Sequence, residues 1–203
     1  MLHPDRFTYQ DRPGALLDLV RTVAPEALPI TVAQARGQVR LGDDDSQDDL
    51  LAGLIAVAVD HLDGYGGILG RALAPQTWAL RLDRFPARYI QLPLSPLRSV
   101  ASVTYLDGAG ALQTLATDRY QVLDGPLARI APAYGLTFPA ARCVPRSVTV
   151  TFSAGWEVGQ LPAPIAQALL IITEGLFEGG DLTELVQGRA VRALLTPWRT
   201  PKL

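Results

Sequence analysis

Cysteine, lysine and methionine are almost absent from this chain, which holds only Cys143, Lys202 and Met1 among 203 residues. A single cysteine excludes an internal disulfide framework and suits a reducing compartment. Histidine is nearly as scarce, with His3 and His61 alone, so a histidine-based metal centre lacks ligands. Charge of one sign is also missing: the net charge of -2 gives no sign of non-specific nucleic-acid binding. Long apolar runs are absent as well. The longest, Leu50 to Val59, includes Gly53 and falls far short of the ~20 residues that span a bilayer. The start, Met1 to Arg6, has neither the basic opening nor the apolar stretch of a signal peptide. These absences point to a soluble, intracellular protein with no membrane partner. The bases are nearly all arginine, a bias that fits a GC-rich genome.

What is present divides at Gly70 to Trp78. Before this seam the chain is acidic, Ala/Leu-rich and patterned as helix; after it, short strands and turns follow as far as Trp156. Helical patterning returns at Pro162. The expected fold class is therefore α+β: a small helical bundle interrupted by an antiparallel β insertion. The apolar share of 48% is enough for a real core. The expected boundaries are an N-terminal arm at 1–28, a helical domain at 29–74 and 162–203, and an inserted β domain at 75–161. Pro4, Pro13, Pro25 and Pro29 break up the arm, in which Ala15 to Val20 has the composition of a short helix.

Thr31-Val32-Ala33-Gln34 reads as a capping box, opening a helix that runs to about Leu41 and ends at Gly42. Five carboxylates then fall within Asp43 to Asp49. A calcium loop counted from Asp43 needs glycine at its sixth position and glutamate at its twelfth; Asp48 and Leu54 stand there instead. Acidic residues at the positive end of the next helix account for the cluster, with Asp45 or Ser46 as cap. That helix, Asp48 to about Gly64, carries Leu50, Leu51, Leu54, Ile55, Ala58, Val59 and Leu62 as a wide stripe, with Ala52, Ala56 and Val57 beyond it. A helix apolar nearly all round is covered nearly all round. Either it is the central helix of one compact domain, or one face meets another copy of the protein. Gly64 to Gly70 is a flexible turn rather than a phosphate loop, because it follows a helix and lacks the G-x-G-x-x-G spacing.

Downstream, alternation marks strands at Trp78-Leu80-Leu82, Tyr89 to Leu92, Val100 to Leu106, Leu112 to Leu115, Tyr120 to Leu123, Ala128 to Ile130 and Val148-Val150-Phe152. Asp107-Gly108-Ala109-Gly110 is a hairpin turn. Ile165, Ala168, Leu169, Ile172 and Leu176 give the returning helix its apolar face, and Asp181 caps a further short one. Charge is polarised along the chain. Leu41 to Gly70 holds seven Asp and no Arg or Lys, whereas the residues from Arg189 onward hold four bases and no acid. Such polarity suits head-to-tail contact between copies, or separate acidic and basic contacts with different partners; ordinary surface charge explains it equally.

No catalytic constellation is apparent. Arg142 beside Cys143 would favour a thiolate, but Cys143 with the distant His61 forms no recognisable dyad. Neither G-x-S-x-G nor H-E-x-x-H occurs. The expected catalytic, metal-binding and cofactor-binding residues are none. Two other classes stay open: a protein- or carbohydrate-binding β module displaying Tyr89, Tyr105 and Tyr120, and a hydrolase with its site in the insertion.

The ordered series from the capped helix and Asp-rich linker through Gly70-Arg71-Ala72-Leu73, Gln76 to Pro86, Ile90 to Pro93, Pro96 to Val100, Val103 to Asp107 and Tyr120-Gln121-Val122 is distinctive. It closes with Val148 to Trp156, Leu161 to Ile165 and Leu194 to Arg199. This series resembles the head–tail connector (adaptor) family of tailed bacteriophages, in the version with a β insertion, which also occurs in prophages and phage-like gene transfer agents. The resemblance spans residues 29–199. It implies a structural protein that forms a ring, usually twelve-fold, below the portal, extends the double-stranded DNA channel without reading sequence, and carries the stopper or tail proteins. The protein would be made in the bacterial cytoplasm and reside at the head–tail joint of the particle. Carried onto this chain, the resemblance implies Trp198 and Arg199 as portal contacts and places Leu51, Ile55 and Leu62 in the ring body, as candidate subunit-interface residues. Asp43, Asp44 and Asp45 become candidate channel-facing residues, where carboxylates would keep DNA phosphates from sticking.

Overall fold

The computed structural model describes residues 6–11, 15–157 and 159–200. His3, Pro4, Pro13 and Lys202, which enter the sequence reading above, lie outside them. The chain forms two compact units: Met1–Ala24 with Pro75–Gly155, and Pro25–Ala74 with Trp156–Leu203. The first is a β unit and the second is helical, so the fold is α+β with antiparallel sheets. Among the described residues no helix is long and apolar enough to cross a membrane.

The β unit contains β1 (Arg6–Asp11), β2 (Ala15–Val23), β3 (Gln76–Leu82), β4 (Ile90–Gln91), β5 (Leu97–Leu106), β6 (Leu112–Thr114), β7 (Tyr120–Leu123), β8 (Arg129–Pro132) and β9 (Val148–Ala154). Six of them make one sheet in the order β1-β2-β3-β9-β5-β6, and three make another in the order β4-β8-β7. Alternation decides what is buried. Trp78, Leu80 and Leu82 of β3 and Val148, Val150 and Phe152 of β9 are all inside. The Asp107 turn is held by its own carboxylate: Oδ1 accepts the amides of Ala109 (3.0 Å) and Ala111 (2.9 Å), and Oδ2 accepts Gln113 Nε2 at 2.8 Å. The Gln113 amide and these backbone donors hold the Asp107 carboxyl below the usual carboxylate range.

The N-terminal segment corrects the expectation of an arm with a short helix. Ala15–Val23 is extended and pairs with β3, with Leu19 opposite Leu80 and Asp18 opposite Arg81. Asp18 is buried and pairs with Arg146 at 2.7 Å. Arg146 adopts a φ of 60°, and its amide donates to Asp83 Oδ1 at 2.9 Å. Ala and Leu favour helix only weakly, and a strand partner far along the chain overrides that preference.

The helical unit contains α1 (Val32–Gln38), α2 (Asp48–Leu62), α3 (Ala163–Phe177), α4 (Leu182–Gln187) and α5 (Arg189–Leu195), followed by a 3-10 turn at Thr196–Trp198. The capping box forms: the Gln34 amide donates to Thr31 Oγ1 at 3.1 Å, and the Thr31 amide donates to Gln34 Oε1 at 2.8 Å. Helix α3 packs against α1, α2, α4 and α5. Their shared core includes Ala35, Leu51, Ile55, Leu62, Ile165, Leu169, Ile172, Val191 and Leu195.

Helix α1 ends earlier than Leu41, and Gly42 is not the residue that stops it. Arg40 takes the left-handed position with φ 62°, while the amides of Arg40 and Leu41 donate to the carbonyls of Gly37 and Arg36. That is a Schellman ending with arginine where glycine is preferred. Arg40 is exposed, so Arg40→Gly removes only strain. The expected result is a gain of about 1 kcal/mol and a rise in Tm of about 3 °C, read by thermal denaturation.

Candidate functional site

The helical unit carries the features that the sequence marks for contact with other molecules. Asp43, Asp44 and Asp45 are exposed on the linker between α1 and α2. Asp44 Oδ1 accepts the Ser46 amide at 3.0 Å, and this bond, with a second from the Ser46 side chain, holds the Asp44 carboxyl below its usual range. The helix cap is Gln47, which makes no side-chain bond, rather than Asp45 or Ser46. Asp48 and Asp49 occupy the first turn, where they oppose the positive helix end. Asp48 also approaches Arg36 of α1 at 3.1 Å.

Leu51, Ile55 and Leu62 have no exposed surface and lie in the unit's own core. They are therefore unavailable as a subunit interface in this conformation. The reason is helical phase: Leu51, Ile55, Ala58 and Leu62 form the stripe that faces inward. The outward side is Asp49, Leu50, Gly53, Ala56, Val57 and Asp60. Leu50 and Val57 are 52% and 47% exposed. The sequence reading recognised a helix apolar on both sides, but placed Leu50 and Leu51 in one stripe although they diverge on the helix.

At the C-terminus, Trp198 is half-buried and packs on the helical core. Its ring meets Trp156 edge-on, with centroids 6.3 Å apart. Arg71 Nε donates to the Trp198 carbonyl at 2.6 Å, and the Thr200 amide donates to the Leu69 carbonyl at 2.9 Å. Burial pushes the Arg71 guanidinium below its ordinary value. The tail thus folds back onto the 63–73 loop of its own unit, while Arg199 stays exposed. Sequence reasoning missed Arg71 as a tether; the bond runs to a backbone oxygen, which leaves no pattern in side-chain types.

That loop is not a flexible turn. Gly67 is buried, and the amides of Ile68 and Leu69 donate to the carbonyls of His61 and Leu62 at 3.1 and 3.3 Å. The Gly64 amide donates to the Arg71 carbonyl at 2.7 Å, and buried Asp63 accepts the Leu73 amide through Oδ1 at 2.7 Å.

The three tyrosines of the alternative binding-module reading do not share an exposed face. Tyr120 is buried, Tyr105 stands edge-on to Phe85, and Tyr89 lies under the Arg129 guanidinium at 4.7 Å. Among the described residues, no three His, Cys, Asp or Glu side chains come together to hold a metal. Cys143 is exposed.

No protein-family model matches the sequence, and no curated protein matches it. Solved structures do share its fold. One is a chain from the neck of an empty gene transfer agent (GTA) particle computed with C6 symmetry, at 23% identity and TM-score 0.70, covering 91% of this chain and 96% of that one. A second comes from the virion of a native GTA particle, at 23% identity, TM-score 0.72 and the same coverage. A third, from the neck of a native GTA particle computed with C12 symmetry, has 22% identity and TM-score 0.60, covering 90% of this chain and 97% of that one.

Proposed function

We propose that this protein is a structural head–tail connector, or adaptor, of a tailed phage or phage-like particle. It assembles as a ring below the portal, twelve-fold in the particle, extends the channel through which double-stranded DNA passes, and joins the capsid to the stopper or tail proteins. The observation that carries this reading is the fold likeness to GTA neck chains over nearly the whole length of both partners. In this reading the helical unit forms the ring body. Asp43, Asp44 and Asp45 face the channel, and Trp198 with Arg199 meets the portal. The protein is made in the bacterial cytoplasm and is retained in the finished particle.

Electron microscopy of particles from a producing host that lacks this gene tests the reading. The expected result is heads, filled or leaking, separated from tails. Normal tailed particles that still deliver DNA would overturn it.

A further inference from the structure

The outward face of α2 has two parallel lines of residues. Asp49, Ala56 and Asp60 follow one line; Leu50 and Val57 follow the other, with Gly53 between them. All six are exposed, and a Cβ at Gly53 would meet nothing within 4 Å. The face is apolar along one edge and acidic along the other, and at its centre a neighbouring backbone can approach closely.

Helix α5 presents the counterpart. Val191 and Leu195 point into the core, and Arg189, Ala190, Arg192 and Ala193 are exposed. Here a basic line runs beside a line of alanines, too small to bury an apolar face on their own. Among the described residues Asp49, Asp60, Arg189 and Arg192 have no salt-bridge partner within the chain. Helices α2 and α5 both pack against α3 and give their buried residues to the same core, and each leaves its own outward face uncovered among the described residues.

We infer that the outer face of α2 on one copy docks against the outer face of α5 on the next. Leu50 and Val57 lie over Ala190 and Ala193, and the Asp49–Asp60 edge faces Arg189 and Arg192. This rests on the ring reading above and supplies its contact. Because two different faces meet, the interface is heterologous, so it propagates beyond a dimer and gives a ring where the rotation between copies closes. It also explains why α2 is apolar on the side that its own core does not use. Opposite charges steer the encounter and fix its register, while like faces repel.

Thiol cross-linking within particles tests the contact. In a Cys143→Ser background, Gly53→Cys and Ala193→Cys place one thiol on each exposed face without crowding the core. Particles from a producing host are treated with a short bismaleimide. The expected result is a ladder of dimers, trimers and higher species from the double variant, and no ladder from either single variant. Dimers from Gly53→Cys alone would mean that like faces meet and would overturn the inference. Chain present in the particles but not cross-linked would overturn the contact and leave the connector reading standing; wild-type chain absent from the particles would overturn both. Should the cysteine variants fail to enter particles, charge reversal decides. Arg189→Glu with Arg192→Glu should lower incorporation about tenfold, and adding Asp49→Arg with Asp60→Arg should restore it. Undiminished incorporation of the first pair would overturn the inference.

Discussion

Gly67→Ala is expected to destabilise the helical unit by about 3 kcal/mol or more, shifting its Tm down by roughly 10 °C. A Cβ at this position would stand inside the contact distance of the carbonyl oxygens of Leu62 and Asp63. Neither oxygen can withdraw cheaply. The Leu62 carbonyl accepts the Leu69 amide, and the Asp63 side chain is committed to Leu73. The clash is therefore with fixed backbone, and the loop must open to relieve it. Gly53→Ala is the matched control, because position 53 lies in open space on an exposed helix face. There alanine should add about 0.5–1 kcal/mol through helix propensity. Urea denaturation of both variants measures the contrast. Equal stability of Gly67→Ala and the parent would show that the 63–73 loop yields without cost.

Trp198→Ala should produce two separable losses. The first is local: removing a half-buried indole that packs on Trp156 and the helical core should cost about 2 kcal/mol. With the ring gone, the bond from the Arg71 side chain to the Trp198 carbonyl and that from the Thr200 amide hold the tail alone, so hydrogen exchange at the Thr200 amide should accelerate. The second is attachment to the portal, which this variant should abolish under the proposed function. Arg199→Ala separates the two effects. Arg199 is exposed, so its loss should leave the melting transition in place while weakening attachment. Native gels of head preparations mixed with each variant read attachment directly. Full attachment by both variants would remove the pair from the portal contact.

Local chemistry carried most of what the sequence allowed to be read. The Thr31–Gln34 box, the Asp181 cap, the Asp107 hairpin turn and the alternation of β3 and β9 each depend on neighbours within a few residues, and each appears as expected. The failures are non-local. Strand β2 could not be read from Ala15 to Val20, since the pairing that makes it a strand lies with β3 and its buried Asp18 is neutralised by Arg146. Arg40 ends α1 although arginine seldom takes the left-handed position. For the candidate site, the stretch was visible and its orientation was not. Leu51 and Leu50 are equally apolar, and only the packing of α3 decides which one is inside. The tail was likewise visible as an aromatic-plus-arginine segment. Its return to the 63–73 loop depends on main-chain acceptors that sequence does not display.

The division of the chain has a consequence for the time course of synthesis. The two units alternate along the chain, and the β unit is completed first: its last strand, β9, ends at Ala154, before α3 begins at Ala163. A growing chain therefore holds every strand of the β unit while the helical core still lacks α3, against which α1 and α2 pack. During that interval Leu51, Ile55 and Leu62 have no cover from the C-terminal helices, and the loop to be closed between α2 and α3 contains the whole insertion. Closing a long loop adds little entropy if its interior is already compact. An insertion that folds early would shorten the effective tether and limit the exposure of the unfinished helices to other nascent chains.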